Sequence, residues 1–392
     1  MQYTKTDEVR AIWYNGKLEP FDVVQIPLSK LIYNKYNGRI KSAVLSYESL
    51  RGDLDPTNQD DRRIIENYLF ESAENRNEKT IQSLKDYGQQ EIGIVTNDLI
   101  IIDGNRRASL LSKLHREGNP VDYFKAIVLP DNLNQNKLEI IKLETNYQMG
   151  VDNKVEYKPI EKYLRCKELI EPPHNISIEE IARLMGEKKY RINQWLDILS
   201  LMEEYLDYLD SPNVYTRLDK KEGHFVDLSR YLNQYQETDE LKEVYFDFIR
   251  IGLPVQRARV LGNPKDNQSL YSNSDLWTPF YAEHKIIKDT LCEKTFSTFK
   301  EERPEMSNEE IFGTLDNHFS EKLKAKLVNN LVQGEIAIKE LKIKNNIKSE
   351  LQKIYKYLVN LDVISINVLE KIDVKNLLNQ IISESDTKAK KL

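Results

Sequence analysis

The first group of residues suited to chemistry follows an apolar run. Residues 100–102 are isoleucines, residues 103–107 are Asp-Gly-Asn-Arg-Arg, and residues 108–115 carry apolar side chains at helical spacing. This order predicts a buried strand, a tight turn and a helix. Backbone N–H groups at a helix N-terminus favour an anion, and Arg106 and Arg107 add charged donors. The segment therefore predicts a phosphate site. The alternative is a turn whose arginines pair with surface acids.

A second group lies in a predicted pair of helices. Ser177, with Glu180 three residues later, is the sequence signature of a capping box, and Gly186 can end that helix. Residues 187–190 form a polar turn before an amphipathic helix at 191–199. This pattern predicts a helix-turn-helix motif, and an ordinary helical hairpin is the alternative. The side chains suited to phosphates or base edges are Lys188, Lys189, Arg191, Asn193 and Gln194.

The elements that must position these groups change character along the chain. Strand and helix patterns alternate over residues 20–130, and after Pro130 the apolar spacing is mostly helical. The predicted fold class is α+β, a small α/β domain followed by a mainly α-helical region with the helix-turn-helix. The predicted domains are residues 20–135, with an insertion at about 42–79, then 136–225 and 226–392.

Composition narrows the class of protein. The 392 residues are 31% charged and 40% hydrophobic, with a mean hydropathy of −0.60 and no apolar run near the roughly 20 residues of a membrane span. The two cysteines and five histidines show no metal-ligand spacing, so we expect no metal held by such a motif. Membrane, secreted and fibrous classes are excluded, and we expect a cytoplasmic protein.

Charge is unevenly distributed. The net charge is −6, yet residues 322–392 contain 14 lysines and 8 acidic residues. These lysines lie among apolar residues at helical spacing. They fit either the solvated face of a bundle or dimer helix, or a surface for the DNA backbone or a protein partner.

These segments, taken in order, resemble the ParB family of chromosome and plasmid partition proteins over about half of the chain. The resemblance rests on 34–39 (NKYNGR), 80–95, 103–107 (DGNRR), 145–149 (TNYQM), 159–163 (PIEKY) and 195–199 (WLDIL). The same α/β fold occurs in sulfiredoxin, but Asn105 stands where that enzyme has its catalytic cysteine. Sulfur chemistry is therefore excluded at this position.

The resemblance implies an NTP, CTP or ATP, bound in the α/β domain, with Mg²⁺ as an option. Typical members bind and hydrolyse CTP. The nucleotide-binding residues would be Asn37, Arg39, Gly104, Asn105, Arg106, Arg107, Asn146 and Gln148. It also implies DNA binding by the helical domain and a homodimer, and the C-terminal third could bind a protein partner.

The candidate catalytic acids are Asp103 and Glu144. Asp103 could orient the turn through backbone N–H groups, or it could hold magnesium or position water. Thr145 and Met149 stand where the family has an acidic residue and an arginine. Glu144 could substitute for the missing acid, or it could be a helix surface charge.

The leading functional prediction is a nucleotide-regulated DNA-binding protein of ParB type, associated with a bacterial-type nucleoid or plasmid. The first alternative is an NTPase or nuclease component of a phage-defence or DNA-modification system. The second alternative is a scaffold whose pocket no longer turns over and whose helical tail recruits partners.

Overall fold

A mixed β-sheet organises the first part of the chain. The structure, a computed structural model, describes residues 3–133, 136–149, 157–265, 269–289, 296–361 and 368–391. Within them the strands are ordered β1-β2-β5-β3-β4, with β3 parallel to β5 and the other neighbours antiparallel. The strands are β1 (Thr4–Tyr14), β2 (Lys17–Pro27), β3 (Gly93–Val95), β4 (Ile101–Asp103) and β5 (Tyr123–Val128). Strands β3 and β4 form an antiparallel hairpin connected by residues 96–100.

The sheet is covered by helices on both faces. One face packs on α1 (Lys41–Arg51), α2 (Gln59–Glu71), α3 (Glu74–Tyr87) and α4 (Asn105–Arg116), and the other packs on α5 (Lys137–Met149). Successive residues of a strand point to opposite faces of the sheet, so Ile101 is buried in the first layer and Ile102 in the second. The sheet thus holds the β4–α4 turn between two apolar layers.

Strands β1 and β2 form a hairpin at one edge of the sheet. Asn15 and Gly16 connect the two strands with φ of 51° and 77°. Two central residues with positive φ are typical of a type I′ hairpin, for which Asn-Gly is the preferred pair. The Asn-Gly pair is therefore the signal for this hairpin, since most of β1 is exposed and its alternation is weak.

Residues 42–79, predicted to be an insertion, are mostly helical and are part of the folded domain. They form most of α1, all of α2 and the start of α3. Val44, Ile65 and Leu69 are buried in the same core as the sheet. The segment therefore stabilises the domain that carries the turn, while the domain boundaries stay a prediction.

The remainder of the described chain is helical, which confirms the predicted α+β class. A large apolar core joins most of the helices that follow α5. Cys166 lies in this core with a free thiol, and Cys292 is outside the described residues. None of the described helices has the length and apolar character to cross a membrane. The helices are α6 (Pro159–Ile170), α7 (Ile178–Met185), α8 (Lys189–Tyr208), α9 (Glu222–Leu232), α10 (Asp239–Arg250), α11 (Val255–Gly262), α12 (Ser274–Asp289), α13 (Phe296–Glu302), α14 (Asn308–Asn345), α15 (Ile347–Val359) and α16 (Val368–Ala389).

Candidate functional site

The β4–α4 turn depends on a glycine. Gly104 is the N-cap residue of α4 and has a φ of 96° in the left-handed region. A Cβ there would lie 2.7 Å from the Phe124 ring, closer than real Cβ atoms approach. No side chain caps α4, so the free backbone N–H groups and the positive end of the helix dipole face the β4–α4 turn.

Four arginines surround the start of α4. Burial lowers the pKa of the Arg106 guanidinium, and the nearby charges of Arg39, Arg76 and Arg107 lower it further. Like charges gathered in a partly buried place repel one another, and an anion between them removes that repulsion. The cluster of Arg39, Arg76, Arg106 and Arg107, called the arginine cluster below, is therefore suited to a phosphate-bearing ligand.

Neutral groups hold Arg106 in place. Its Nε donates to Asn77 Oδ1 at 3.0 Å, and a terminal nitrogen donates to Thr80 Oγ1 at 3.2 Å. Both acceptors lie on α3, and neither carries a charge. The side chain is thus oriented while its positive charge stays available to an anion.

Arg107 and Asp103 lie on the other side of the turn. Arg107 donates to the Glu91 carbonyl at 2.7 Å and faces the carboxylates of Asp103 and Glu91. Burial raises the pKa of Asp103, while the nearby charges of Arg107 and Arg39 oppose that rise. The Gly104 N–H also donates to Asp103. This contact matches the interpretation in which Asp103 orients the turn.

Glu144 is buried, so its interpretation as a surface charge is wrong. Its carboxylate lies 3.1 Å from Arg165 on α6. It also accepts from Asn37 at 3.4 Å and Asn34 at 3.5 Å, and from the Gly38 backbone N–H. Burial raises the pKa of Glu144, but we assign an ionised pair because Arg165, also near Glu168, holds a full positive charge beside it. Glu144 thus ties the 34–39 loop to α6.

The other predicted nucleotide-binding residues are distributed around the turn. Asn105 is buried, donates to the Ile101 carbonyl at 2.8 Å and accepts from the Asn34 N–H at 3.0 Å, so it joins two loops. Asn37 Oδ1 accepts from the Arg39 N–H at 3.1 Å. Asn146 is exposed on α5, and Gln148 lies on the same helix with a side chain outside those the structure describes.

Helices α7 and α8 form the predicted helix-turn-helix. Ser177 accepts from the Glu180 N–H at 3.3 Å, and Gly186 ends α7 with a φ of 65°. Ala182 is buried where α7 meets α8, as its small size predicts. The second helix begins at residue 189 and ends at 208, which makes it longer than the predicted 191–199.

Most of the predicted DNA-binding side chains are exposed at the start of α8. Lys188, Lys189, Arg191 and Asn193 are exposed, and Gln194 is half-buried. Lys189 pairs with Glu179, and Arg191 lies 3.8 Å from Glu187. Exposed ion pairs of this kind are worth about 0–1 kcal/mol, so another anion can replace the acidic partners.

Two groups of functional residues were not predicted from the sequence. Arg76, Asn77 and Thr80 lie on α3, in or beside the segment interpreted as an insertion. Arg165 is the buried partner of Glu144. Neither group has a local motif, because each meets its partner only in the folded chain.

Within the described residues no cluster of three His, Cys, Asp or Glu side chains could hold a metal ion.

Comparison with known proteins finds similarity among solved structures. No family model matches the chain, and no curated protein matches it. One similar structure is the C-terminally truncated chromosome-partitioning protein ParB from Caulobacter crescentus complexed to the centromeric parS site. It is 19% identical, with a TM-score of 0.31, and covers 48% of this chain and 88% of its own. A second similar structure is a Pnob8-like ParB-N domain, which is 13% identical with a TM-score of 0.27, and the match covers 80% of this chain and 100% of that domain.

Proposed function

We propose that this chain is a nucleotide-regulated DNA-binding protein of the ParB-like kind that its sequence resembles. An NTP, CTP or ATP, would bind at the β4–α4 turn, and DNA would bind at α8. The observation that carries the proposal is the arginine cluster, in which Arg106 is oriented by an amide and a hydroxyl rather than by an acid.

The phosphates of the nucleotide account for the arrangement of charge. Arg39 and Arg107 face the carboxylate of Asp103, whereas Arg106 faces the other three arginines, so an anion beside Arg106 relieves the repulsion between these charges. The N-terminus of α4 adds backbone donors and a favourable dipole. A charge-assisted hydrogen bond contributes about 1.5–3 kcal/mol, so several of them support specific binding.

The proposal is limited to binding and does not include hydrolysis. Asp103 faces Arg39 and Arg107, and Glu144 forms an ion pair with Arg165 and accepts from Asn34 and Asn37. Carboxylates occupied by such donors do not fit the ligand set of a magnesium ion, which takes carboxylate oxygens together with water and phosphate. We therefore derive no step through Mg²⁺.

The DNA part of the proposal rests on α7 and α8. The N-terminal turn of α8 has no side-chain cap and is flanked by exposed Lys188 and Lys189. In helix-turn-helix proteins this end of the second helix contacts base edges, while basic side chains contact phosphates. Asn193 lies four residues further on and is exposed, so its amide can contact base edges.

A buried network connects the two sites. The 34–39 loop, which carries Arg39, contacts Glu144, and Glu144 pairs with Arg165 on α6. Helix α6 packs closely on α8, and Lys167 Nζ lies 2.7 Å from Glu203 across that contact. A nucleotide that changes the position of Arg39 would shift this network, and DNA affinity with it.

The proposal includes a homodimer formed by the C-terminal helices. Helix α15 buries none of its residues, and Ile347, Leu351 and Ile354 are each at least half exposed at spacings of four and three. This spacing is that of a coiled-coil seam. Replacing Leu351 with Lys should lower the mass measured by light scattering from dimer to monomer.

The test is a direct binding measurement on the full chain. We expect a labelled NTP to bind and Arg106→Ala to weaken it, while duplex DNA binds and Lys189→Gln weakens it. Arg116→Ala is the matched control, since Arg116 is at the far end of α4 and pairs with Glu66. Equal affinities for all variants would contradict the proposed sites.

A further inference from the structure

A cleft lies between the first turn of α6 and the first half of α8. It has a volume of about 440 Å³. Its basic side chains come from both helices, Lys158 and Lys162 from the start of α6 and Arg191 from α8. Tyr157 and Trp195 form apolar parts of its wall. The cleft is therefore adjacent to the side chains that would contact DNA, yet two of its three cations lie outside the helix-turn-helix.

The acidic side chains of the cleft already have partners. Glu222 accepts from the Tyr163 hydroxyl at 2.7 Å, and Glu187 lies 3.8 Å from Arg191. Lys162 Nζ lies 5.7 Å from the centre of the Trp195 ring, so an aromatic face helps to position its charge. The basic side chains thus exceed the acidic ones.

The backbone of α6 favours an anion at the same place. Lys158 is the N-cap residue, no side chain caps the helix, and Pro159 follows in its first turn. The positive end of a 12-residue helix therefore lies beside the two lysines. Glu161, the acid in that turn, accepts from Ser42 on α1 and is buried.

We propose that this cleft binds a phosphate group of the DNA backbone next to the groove occupied by α8, with Lys158 and Lys162 as contacts. This inference rests on the proposed function and adds a second element, α6, to the DNA interface. Phosphate contacts fix the register and orientation of a protein on its duplex. Contacts from α6, outside the helix that would enter the groove, would have this role. Base edges would remain the task of α8.

The cleft also shares a wall with the arginine cluster. The Arg39 guanidinium lies 4.2 Å from the centre of the Tyr157 ring, and Tyr157 lines the cleft. Tyr157 would thus contact Arg39 and also line the site of the DNA phosphate.

The test is the salt dependence of DNA affinity for the full chain. Lys158→Gln and Lys162→Gln remove the charge and keep a polar, slightly shorter side chain. Log affinity falls as log salt rises, and each variant should reduce the steepness of that fall by about 0.9, because a protein that loses a phosphate contact releases fewer counterions on binding. The reduction should be similar for every DNA sequence. Glu187→Gln should raise affinity. Lys85→Gln at the exposed end of α3, which is not part of the cleft, is the control and should leave the slope unchanged.

The outcomes separate the two proposals. If the wild-type chain binds DNA and both lysine variants keep its slope, the cleft is not a phosphate site, while the helix-turn-helix proposal stands. If the wild-type chain binds no duplex at all, the proposed function fails and this inference fails with it. A changed slope with altered base preference would place the lysines in base contacts and overturn the phosphate assignment.

Discussion

Replacing Arg106 with alanine separates a ligand-binding arginine from a structural one. The side chain makes two hydrogen bonds to neutral acceptors, Asn77 and Thr80, and because the donor is charged each is worth about 1.5–3 kcal/mol to the folded chain. Its removal also relieves repulsion from Arg39, Arg76 and Arg107. The second effect offsets part of the first, so we expect a modest loss of stability in the unliganded protein. Nucleotide binding, in contrast, loses a charge-assisted contact of about 1.5–3 kcal/mol, tenfold or more in affinity.

Thermal and chemical unfolding with and without nucleotide measures both quantities. A ligand at 100 times its dissociation constant stabilises a protein by about 2.7 kcal/mol, and a tenfold loss of affinity reduces this to about 1.4 kcal/mol. Arg106→Ala should show that reduction, and Arg116→Ala should retain the full ligand effect. A variant that unfolds more easily without ligand, yet keeps its full ligand-induced stabilisation, would refute the argument.

Three further predictions follow from the described contacts. Burial raises the pKa of Asp103, so acid removes a negative charge from the site and should strengthen nucleotide binding by the wild-type chain. Asp103→Asn should bind nucleotide more tightly at neutral pH and gain less affinity on acidification, and parallel affinity–pH curves for the two proteins would contradict this. Glu144→Gln should lower the free energy of unfolding in urea by about 3 kcal/mol, since it removes a buried partner of Arg165, and a loss below about 1 kcal/mol would show that the pair is not needed. Lys189→Gln should weaken binding to all duplexes alike, whereas Asn193→Ala should cost about 1–3 kcal/mol on the preferred sequence only, as competition between duplexes will show.

The local parts of the fold could be predicted from the sequence. Gly104, Gly186 and the Ser177 cap each mark the end of an element by conformational preference alone, and the structure places helix or strand ends at all three. The Asn-Gly turn between β1 and β2 carried a similar signal. Such features depend on neighbours within a few residues, which the sequence shows directly.

The partners of the candidate site could not be predicted in the same way. Arg106 meets Asn77 29 residues earlier in the chain, and Glu144 meets Arg165 in the next helix. These contacts depend on how α3 and α6 pack, and packing is decided by apolar surfaces that have many compatible arrangements. The sequence therefore indicated which residues have suitable chemistry but not which neutral or acidic groups would surround them.

Nucleotide and DNA are proposed to affect each other's binding. The most direct measurement is the affinity of the full chain for its preferred duplex, with and without saturating CTP or ATP, together with nucleotide affinity with and without that duplex. We expect a change of about 5–150-fold in DNA affinity, and an equal factor in nucleotide affinity, because coupling between two sites is reciprocal. Identical DNA affinities in the presence and absence of a nucleotide shown to bind would contradict it.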